Sequence, residues 1–198
     1  MSLLPLFLDL RSKPVLLVGG GSVARAKLAA LREAKADLRI VATRFSRGFA
    51  WEARGLRLHR RPFEPADLDG VHLVVAATND PSVNAAIAIE ARRRGIWINA
   101  VDDPQACDAF FASTLRRGPV ELAVSTHGAF PGLSRSLRLA LESLLPDETA
   151  LRDFSALRAR LRERLPDPAA RTEALRALLR DFETRHLSLH EDDHDLIA

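Results

Sequence analysis

Three stretches carry residue types and spacings suited to chemistry. In the first, Val15-Leu16-Leu17-Val18 runs into Gly19-Gly20-Gly21-Ser22-Val23-Ala24, and a helical pattern continues through Arg25, Lys27, Leu28 and Leu31. An apolar strand, a glycine turn and a helix in that order form the context of a dinucleotide-binding fingerprint, with Gly19, Gly21 and Ala24 filling G-x-G-x-x-A. Gly19 permits a tight turn, Gly21 lets backbone approach a pyrophosphate, and Ala24 keeps the helix close to the sheet. The helix N-terminus then offers free N–H groups to phosphate. A plain helix-capping turn uses glycines in the same way. In the second stretch, Asn99-Ala100-Val101-Asp102-Asp103-Pro104, a carboxylate can accept a proton. Alternate residues of an extended chain face opposite ways, so only one of the two acids can point at a given site. On residues alone, capping or solvation of both is the usual fate of an Asp-Asp-Pro turn. The third stretch, Ser125-Thr126-His127-Gly128, offers hydroxyls and an imidazole for proton transfer, without the geometry that would define a catalytic triad.

Further residues bear on the cofactor. A fold that binds NAD usually presents an acid to the ribose after its second strand. Here that place reads Val41-Ala42-Thr43-Arg44. Thr43 can hydrogen-bond a ribose, and Arg44 can attract a 2′-phosphate or lie over adenine, so residue chemistry leaves NAD and NADP both open. Thr78 and Asn79 follow the fourth strand, where they can line the cofactor crevice, while Asp80 before Pro81 suits a helix cap. His59, His72 and His186 lack metal-ligand spacing. His190 and His194 are four apart but lie in an acidic tail, and no metal site is expected.

These residues need a scaffold that gathers strand ends. Residues 3–10 read as an edge strand, which Pro5 tolerates. Strands follow at about 14–18, 38–41, 56–59, 71–77 and 96–99, with helices over about 22–34 and from Pro81 to Gly95 between them. That alternation predicts a Rossmann-like, doubly wound parallel sheet. Beyond Asp102 the rhythm changes. Residues 109–115 and 120–125 read as strands of a hairpin around Arg116-Arg117-Gly118-Pro119. Leu133, Leu137 and Leu141 then mark a helix from Pro131 that ends at Pro146. Leu151, Phe154, Leu157 and Leu161 mark another, and a last helix spans about 169–186. The predicted fold is α/β: a sheet domain over 1–106, a β-hairpin dimerisation segment over 107–130 and a helical C-terminal domain over 131–198. The leucine stripes of the last part must be covered, either within the chain or by a second copy in a homodimer.

Composition excludes several classes. The chain has 198 residues, 47% of them hydrophobic and 28% charged, and a formal charge of +3, which is ordinary for a soluble domain. Lysine occurs only at 13, 27 and 35, so nearly all cations are arginines, whose forks suit carboxylates and phosphates. There is no long basic run interleaved with aromatics, so nucleic acid is not the expected partner. The absence of a long apolar run argues against a membrane span. A single cysteine, Cys107, fits a reducing cytoplasm.

Taken together, these stretches resemble the precorrin-2 dehydrogenase/sirohydrochlorin ferrochelatase family, the N-terminal module of siroheme synthases. The resemblance rests on Leu4-Pro5-Leu6-Phe7-Leu8-Asp9-Leu10, the Val18–Ala24 loop with Arg25 and Lys27, and Ala76-Ala77-Thr78-Asn79-Asp80. It continues through Asn99-Ala100-Val101-Asp102-Asp103-Pro104, Ala123-Val124-Ser125-Thr126 and Leu141-Glu142-Ser143-Leu144-Leu145-Pro146. It implies NAD-dependent oxidation of the tetrapyrrole precorrin-2 to sirohydrochlorin, often with insertion of ferrous iron to give siroheme, and no methyltransferase domain. Carried over by position, Ser22, Val23, Thr43 and Arg44 would contact NAD, Asp102 matches the family's catalytic aspartate, and Thr126 falls where relatives often have a serine. The resemblance thus reverses the capping expectation for Asp102. The chain departs from the family at Ala129 and Phe130, where relatives carry hydroxyls, and His127 is placed to compensate. Arg116, Arg117, Arg135 and Arg138 are expected to meet substrate carboxylates. An NAD(H)-binding regulatory module without catalysis, or a chelatase alone, are the competing functions.

Overall fold

Strand β1 (Pro14–Val18) is the centre of a parallel five-stranded sheet in a computed structural model that describes residues 3–187. β2 (Asp37–Val41) and β3 (Leu58–His59) lie on one side of it, and β4 (Leu73–Ala76) and β5 (Trp97–Ala100) on the other, in the order β3-β2-β1-β4-β5. Val18 is paired with both Val41 and Ala76, and Ala76 in turn with Ala100, so the carboxyl ends of four strands stand level.

Burial on both faces explains why these strands read as continuous apolar runs rather than alternating ones. Val15, Leu17, Ile40 and Val75 face α1 (Ser22–Glu33) and α2 (Arg47–Glu52), meeting Ala24, Leu28, Leu31 and Phe49. Leu16, Val74, Ile98 and Ala100 face the other way, toward Ile87, Ala88 and Ala91 of α3 (Pro81–Arg93). Asp80 begins α3 as its sequence suggests, accepting from Ser82 N–H at 2.9 Å and Val83 N–H at 3.4 Å. Ser46 does the same for α2, accepting from Phe49 N–H at 3.2 Å.

The chain divides into two compact units. The first runs to Phe111 and takes in His127–Ala129; the second comprises Ala112–Thr126 and the chain from Phe130. In the second unit, β6 (Ser113–Arg117) and β7 (Val120–Val124) form an antiparallel hairpin. Gly118 turns it at φ +57 with Pro119 following, the residue pattern of a tight primed turn. Helices α4 (Pro131–Leu144), α5 (Glu148–Arg164) and α6 (Pro168–His186) complete it.

The α/β class, the hairpin and the helical C-terminal part are thus as expected, with three local differences. Residues 3–10 form no strand: the sheet ends at β3 and β5, the segment pairs with neither, and Leu4, Leu6 and Phe7 are exposed. The third strand shrinks to two residues. The first hairpin strand starts at Ser113 rather than 109, because Asp108 and Ala109 donate their N–H groups to Ile98 O at 2.8 and 3.1 Å instead. The acidic tail with His190 and His194 lies outside the described residues. Among those described, no helix is long and apolar enough to cross a membrane, and no cluster of three His, Cys, Asp or Glu side chains could hold a metal.

Candidate dinucleotide site and proton acceptor

In an open parallel sheet the ligand crevice lies outside the carboxyl ends, where strand order reverses. Here that point falls between β1 and β4, and the three glycines that follow β1 have distinct duties. Gly19 adopts φ +131, donates its N–H to Val41 O at 2.9 Å, and packs so closely on Ala77 that a Cβ would strike the Ala77 carbonyl. Gly20 is equally confined: a Cβ would strike Arg44 O and come within 2.7 Å of the Phe45 ring, while Gly20 O accepts from Ser46 N–H at 2.9 Å. Gly21 differs, because a Cβ there would meet nothing within 4 Å. It is the N-cap of α1, with no side-chain cap and no acid in the first turn. Arg25 N–H to Gly21 O, 3.0 Å, is the first helical bond, so the N–H groups of Ser22 and Val23 precede the ladder. Two glycines close the loop against its neighbours, and the third opens it at a helix dipole suited to an anion. This cradle fits a dinucleotide pyrophosphate.

The flanking loops end at the same edge. Thr43 and Arg44 follow β2 and are exposed; the close approach of Arg44 O to Gly20 fixes that loop to the cradle. Thr78 follows β4 and is held by Asn84, a buried side chain of α3. Asn84 Oδ1 accepts from Thr78 Oγ1 at 2.7 Å and from Thr78 N–H at 3.2 Å, and its Nδ2 donates to Thr78 O at 3.2 Å. Asn79 next to it is exposed. Asn84 was not among the residues singled out from sequence. Its signal was a polar residue on the inward face of α3, one turn before Ile87 and Ala88.

The adjacent acids take different parts. Asp103 caps the turn at Pro104, accepting from Ala106 N–H at 3.2 Å. Asp102 is exposed, at φ +63, in a turn closed by Asp103 N–H to Ala100 O at 3.3 Å. A non-glycine residue in that region stores strain that the surroundings must hold, and Cys107 supplies part of the hold. Its Sγ lies 3.1 Å from Ala100 O and 3.3 Å from Asp103 O, and Ala100 N–H donates to it at 3.2 Å. Burial pushes the Cys107 thiol up, so it remains a protonated donor. Asn99 secures the next stretch, donating to Ala109 O at 2.9 Å. His127 belongs to this same unit, at φ +54, and a Cβ at the following Gly128 would touch Pro104 and Phe110 at 3.5 Å. The fold therefore brings the His127–Gly128 turn onto the loop that carries Asp102.

Thr126 lies two residues beyond β7 in the second unit, where its Oγ1 accepts from Phe130 N–H at 3.2 Å and shapes the entry to α4. Three of the four arginines expected to meet substrate have internal partners. Arg116 pairs across the hairpin with Glu121 at 2.8 Å, and Arg138 with Glu142 at 2.8 Å. Arg117 donates to Leu145 O at 2.6 Å and Glu142 O at 2.9 Å, satisfying carbonyls at the end of α4.

A family model described as "Putative NAD(P)-binding" matches residues 6–113, more than half of the chain. The chain is 45% identical over 175 residues to a siroheme synthase of Methylococcus capsulatus, covering 86% of this chain and 37% of that one. It is 43% identical over 176 residues to siroheme synthase 1 of Aeromonas hydrophila, covering 86% and 38%. It therefore spans little more than a third of the length of these relatives. A solved structure of "SirC, precorrin-2 dehydrogenase" superposes with a TM-score of 0.70 at 27% identity, covering 92% of this chain and 100% of that one. The chain belongs to this NAD(P)-binding family, in the form that siroheme synthases and the precorrin-2 dehydrogenase share.

Proposed function

We propose that this chain is an NAD-dependent precorrin-2 dehydrogenase, forming sirohydrochlorin in siroheme biosynthesis. One observation carries the proposal: an open glycine cradle and an exposed, conformationally held carboxylate, Asp102, stand at the same edge of one sheet. The likeness over the whole of the precorrin-2 dehydrogenase structure supports it.

The reaction is a two-electron oxidation: precorrin-2 and NAD+ give sirohydrochlorin, NADH and a proton. When bound, NAD supplies the hydride acceptor. The N–H groups of Ser22 and Val23 bind its pyrophosphate against Gly19 and Gly21. Thr43 and Arg44 take the ribose and adenine side, and Thr78 and Asn79 line the crevice after β4. Asp102 accepts the proton that leaves the macrocycle as a new carbon–carbon double bond forms, and releases it to water. His127, held beside the Asp102 loop, and Thr126 are assigned to substrate contacts.

The direct test is absorbance. Purified protein with precorrin-2 and NAD should yield sirohydrochlorin, and Asp102→Ala should lower kcat by about 100-fold or more. Full activity in that variant would remove Asp102 from the mechanism. Normal NAD binding with no product from authentic precorrin-2 would instead identify a nucleotide-sensing module.

The exposure of the Asp102 carboxylate favours a second activity, ferrous iron insertion, with iron as substrate and Asp102 accepting pyrrole N–H protons. Siroheme formation from sirohydrochlorin and ferrous iron without NAD tests this, and its absence would leave the dehydrogenase alone. The proposed assembly is a homodimer. On α4, Leu133, Leu137, Leu141 and Leu144 recur along one side and are 44%, 45%, 37% and 69% exposed, a row that a second copy would cover. With a single cysteine, buried and free, the proposed compartment is the cytoplasm.

A further inference from the structure

One cation beside Asp102 has no anion of its own. Lys27 lies on the second turn of α1, half-buried, with Nζ 4.2 Å from the centroid of the Phe111 ring. Among the described residues it makes no ion pair or hydrogen bond. Arg25, two residues earlier, points to α2 and pairs with Glu52 at 3.5 Å, so neighbouring cations on one helix have been treated differently. Burial lowers the Lys27 pKa, while Cys107 and Asp102 act in the opposite direction. Val101, the neighbour of Asp102, packs on the same core cluster as Ala24 and Leu28 of α1, which brings the Asp102 turn to the helix that carries Lys27.

A partly desolvated ammonium without a carboxylate is costly, and a lysine stem can ordinarily extend its head into water. Lys27 instead rests on an aromatic face, which recovers part of the cost by cation–π attraction and fixes where the charge sits before anything binds. Its three donors remain available to an oxyanion. The ring that holds it and the turn that carries Asp102 both belong to the chain that follows β5.

We infer that Lys27 is an anchor for one peripheral carboxylate of the tetrapyrrole, seated on Phe111 so that the bound macrocycle edge meets Asp102. This rests on the dehydrogenase assignment and adds a specificity-determining residue to it. A compact ammonium suits a flexible acetate or propionate arm better than a planar fork that demands one geometry.

The probe is sirohydrochlorin, the product, which carries the same acidic arms and needs no turnover. Its affinity is read by absorbance titration against wild type, Lys27→Met and Lys27→Arg, alongside NAD affinity, melting temperature and kcat at saturating precorrin-2. The expected result is a loss of about tenfold or more in sirohydrochlorin affinity for Lys27→Met. The same variant should retain NAD affinity to within about threefold, and Lys27→Arg should recover most of the loss. Equal sirohydrochlorin affinity in all three proteins overturns the anchor and leaves the dehydrogenase standing. Weakened NAD binding with unchanged sirohydrochlorin binding also overturns it, by assigning Lys27 to the cofactor, and so does a loss confined to kcat. Failure of the wild type to bind sirohydrochlorin or oxidise precorrin-2 removes the dehydrogenase assignment and the anchor together.

Discussion

The two units solve the burial problem in different ways. In the first, Val15, Leu16, Leu17, Leu28, Ile40, Phe49, Val74, Ile87 and Ile98 are fully buried, each stabilising by roughly 1.5–3 kcal/mol. Sheet and helices cover one another on both faces. In the second, Leu115 and Leu151 are the buried large apolar side chains of the described residues, whereas Leu133, Leu137, Leu139 and Leu144 face outward. The contrast separates a core that closes on itself from a helical surface that leaves a row of leucines exposed. It also divides the labour, since the cradle and Asp102 need rigid support and the first unit supplies it.

The strongest way to break that contrast is Gly19→Val. The new side chain would collide with the Ala77 carbonyl at a φ that valine does not adopt. We expect a loss of about 3 kcal/mol or more, read as a lower denaturant midpoint, and no measurable NAD binding. Next is Leu137→Glu with Leu141→Glu. If the α4 row is a dimer interface, light scattering should show a monomer while NAD affinity stays within about twofold, because the first unit does not depend on that row. A dimer that survives both substitutions would place the interface elsewhere.

Asn84→Ala sharpens the comparison inside the first unit. Losing the grip on Thr78 should weaken NAD binding by about tenfold with little change in kcat at saturating NAD, as isothermal titration and initial rates would show. The smallest effect concerns Asp67, 4% exposed and paired with Arg61 at 2.6 Å and 2.8 Å. Burial pushes its carboxyl up, but the Arg61 fork and Glu64 N–H outweigh that and hold it below its ordinary value. A depressed pKa contributes stability that is present above the ordinary carboxylate range and lost as pH falls through the folded value. Asp67→Asn should therefore cost about 1–2 kcal/mol at pH 7, and the difference between the two melting curves should shrink below about pH 4.

Much of this was legible in the chain. The run Val15–Val18 into three glycines declared both strand and cradle, because a strand buried on two faces and a phosphate turn each leave a local signature. Asp80 before Pro81 announced a cap for the same reason. Which member of Asp102-Asp103 caps and which is presented was not local information; it depends on the Ala100–Asp103 turn and on Cys107 closing over it. The strand expected at 3–10 had the right residues, but pairing needs a partner with a free edge aligned to it. Asn84 escaped notice, and Lys27 was given no role of its own, because a single polar residue in a helical pattern looks like surface until its neighbours are known. Gly20 fills none of the three small positions of the fingerprint, yet the Arg44 loop leaves it no more room than Gly19.

The central position of β1 has a consequence for synthesis. Its partner on one side is the nearby β2, but Val15 on the other side pairs with Leu73. At about 5–20 residues per second, the ribosome needs several seconds after making β1 before β4 exists to cover it. During that interval a strand with four buried apolar residues awaits its neighbour. Translation speed between Val41 and Leu73 therefore sets how long that strand stays open to misassociation, and a chaperone would be of most use to this chain there.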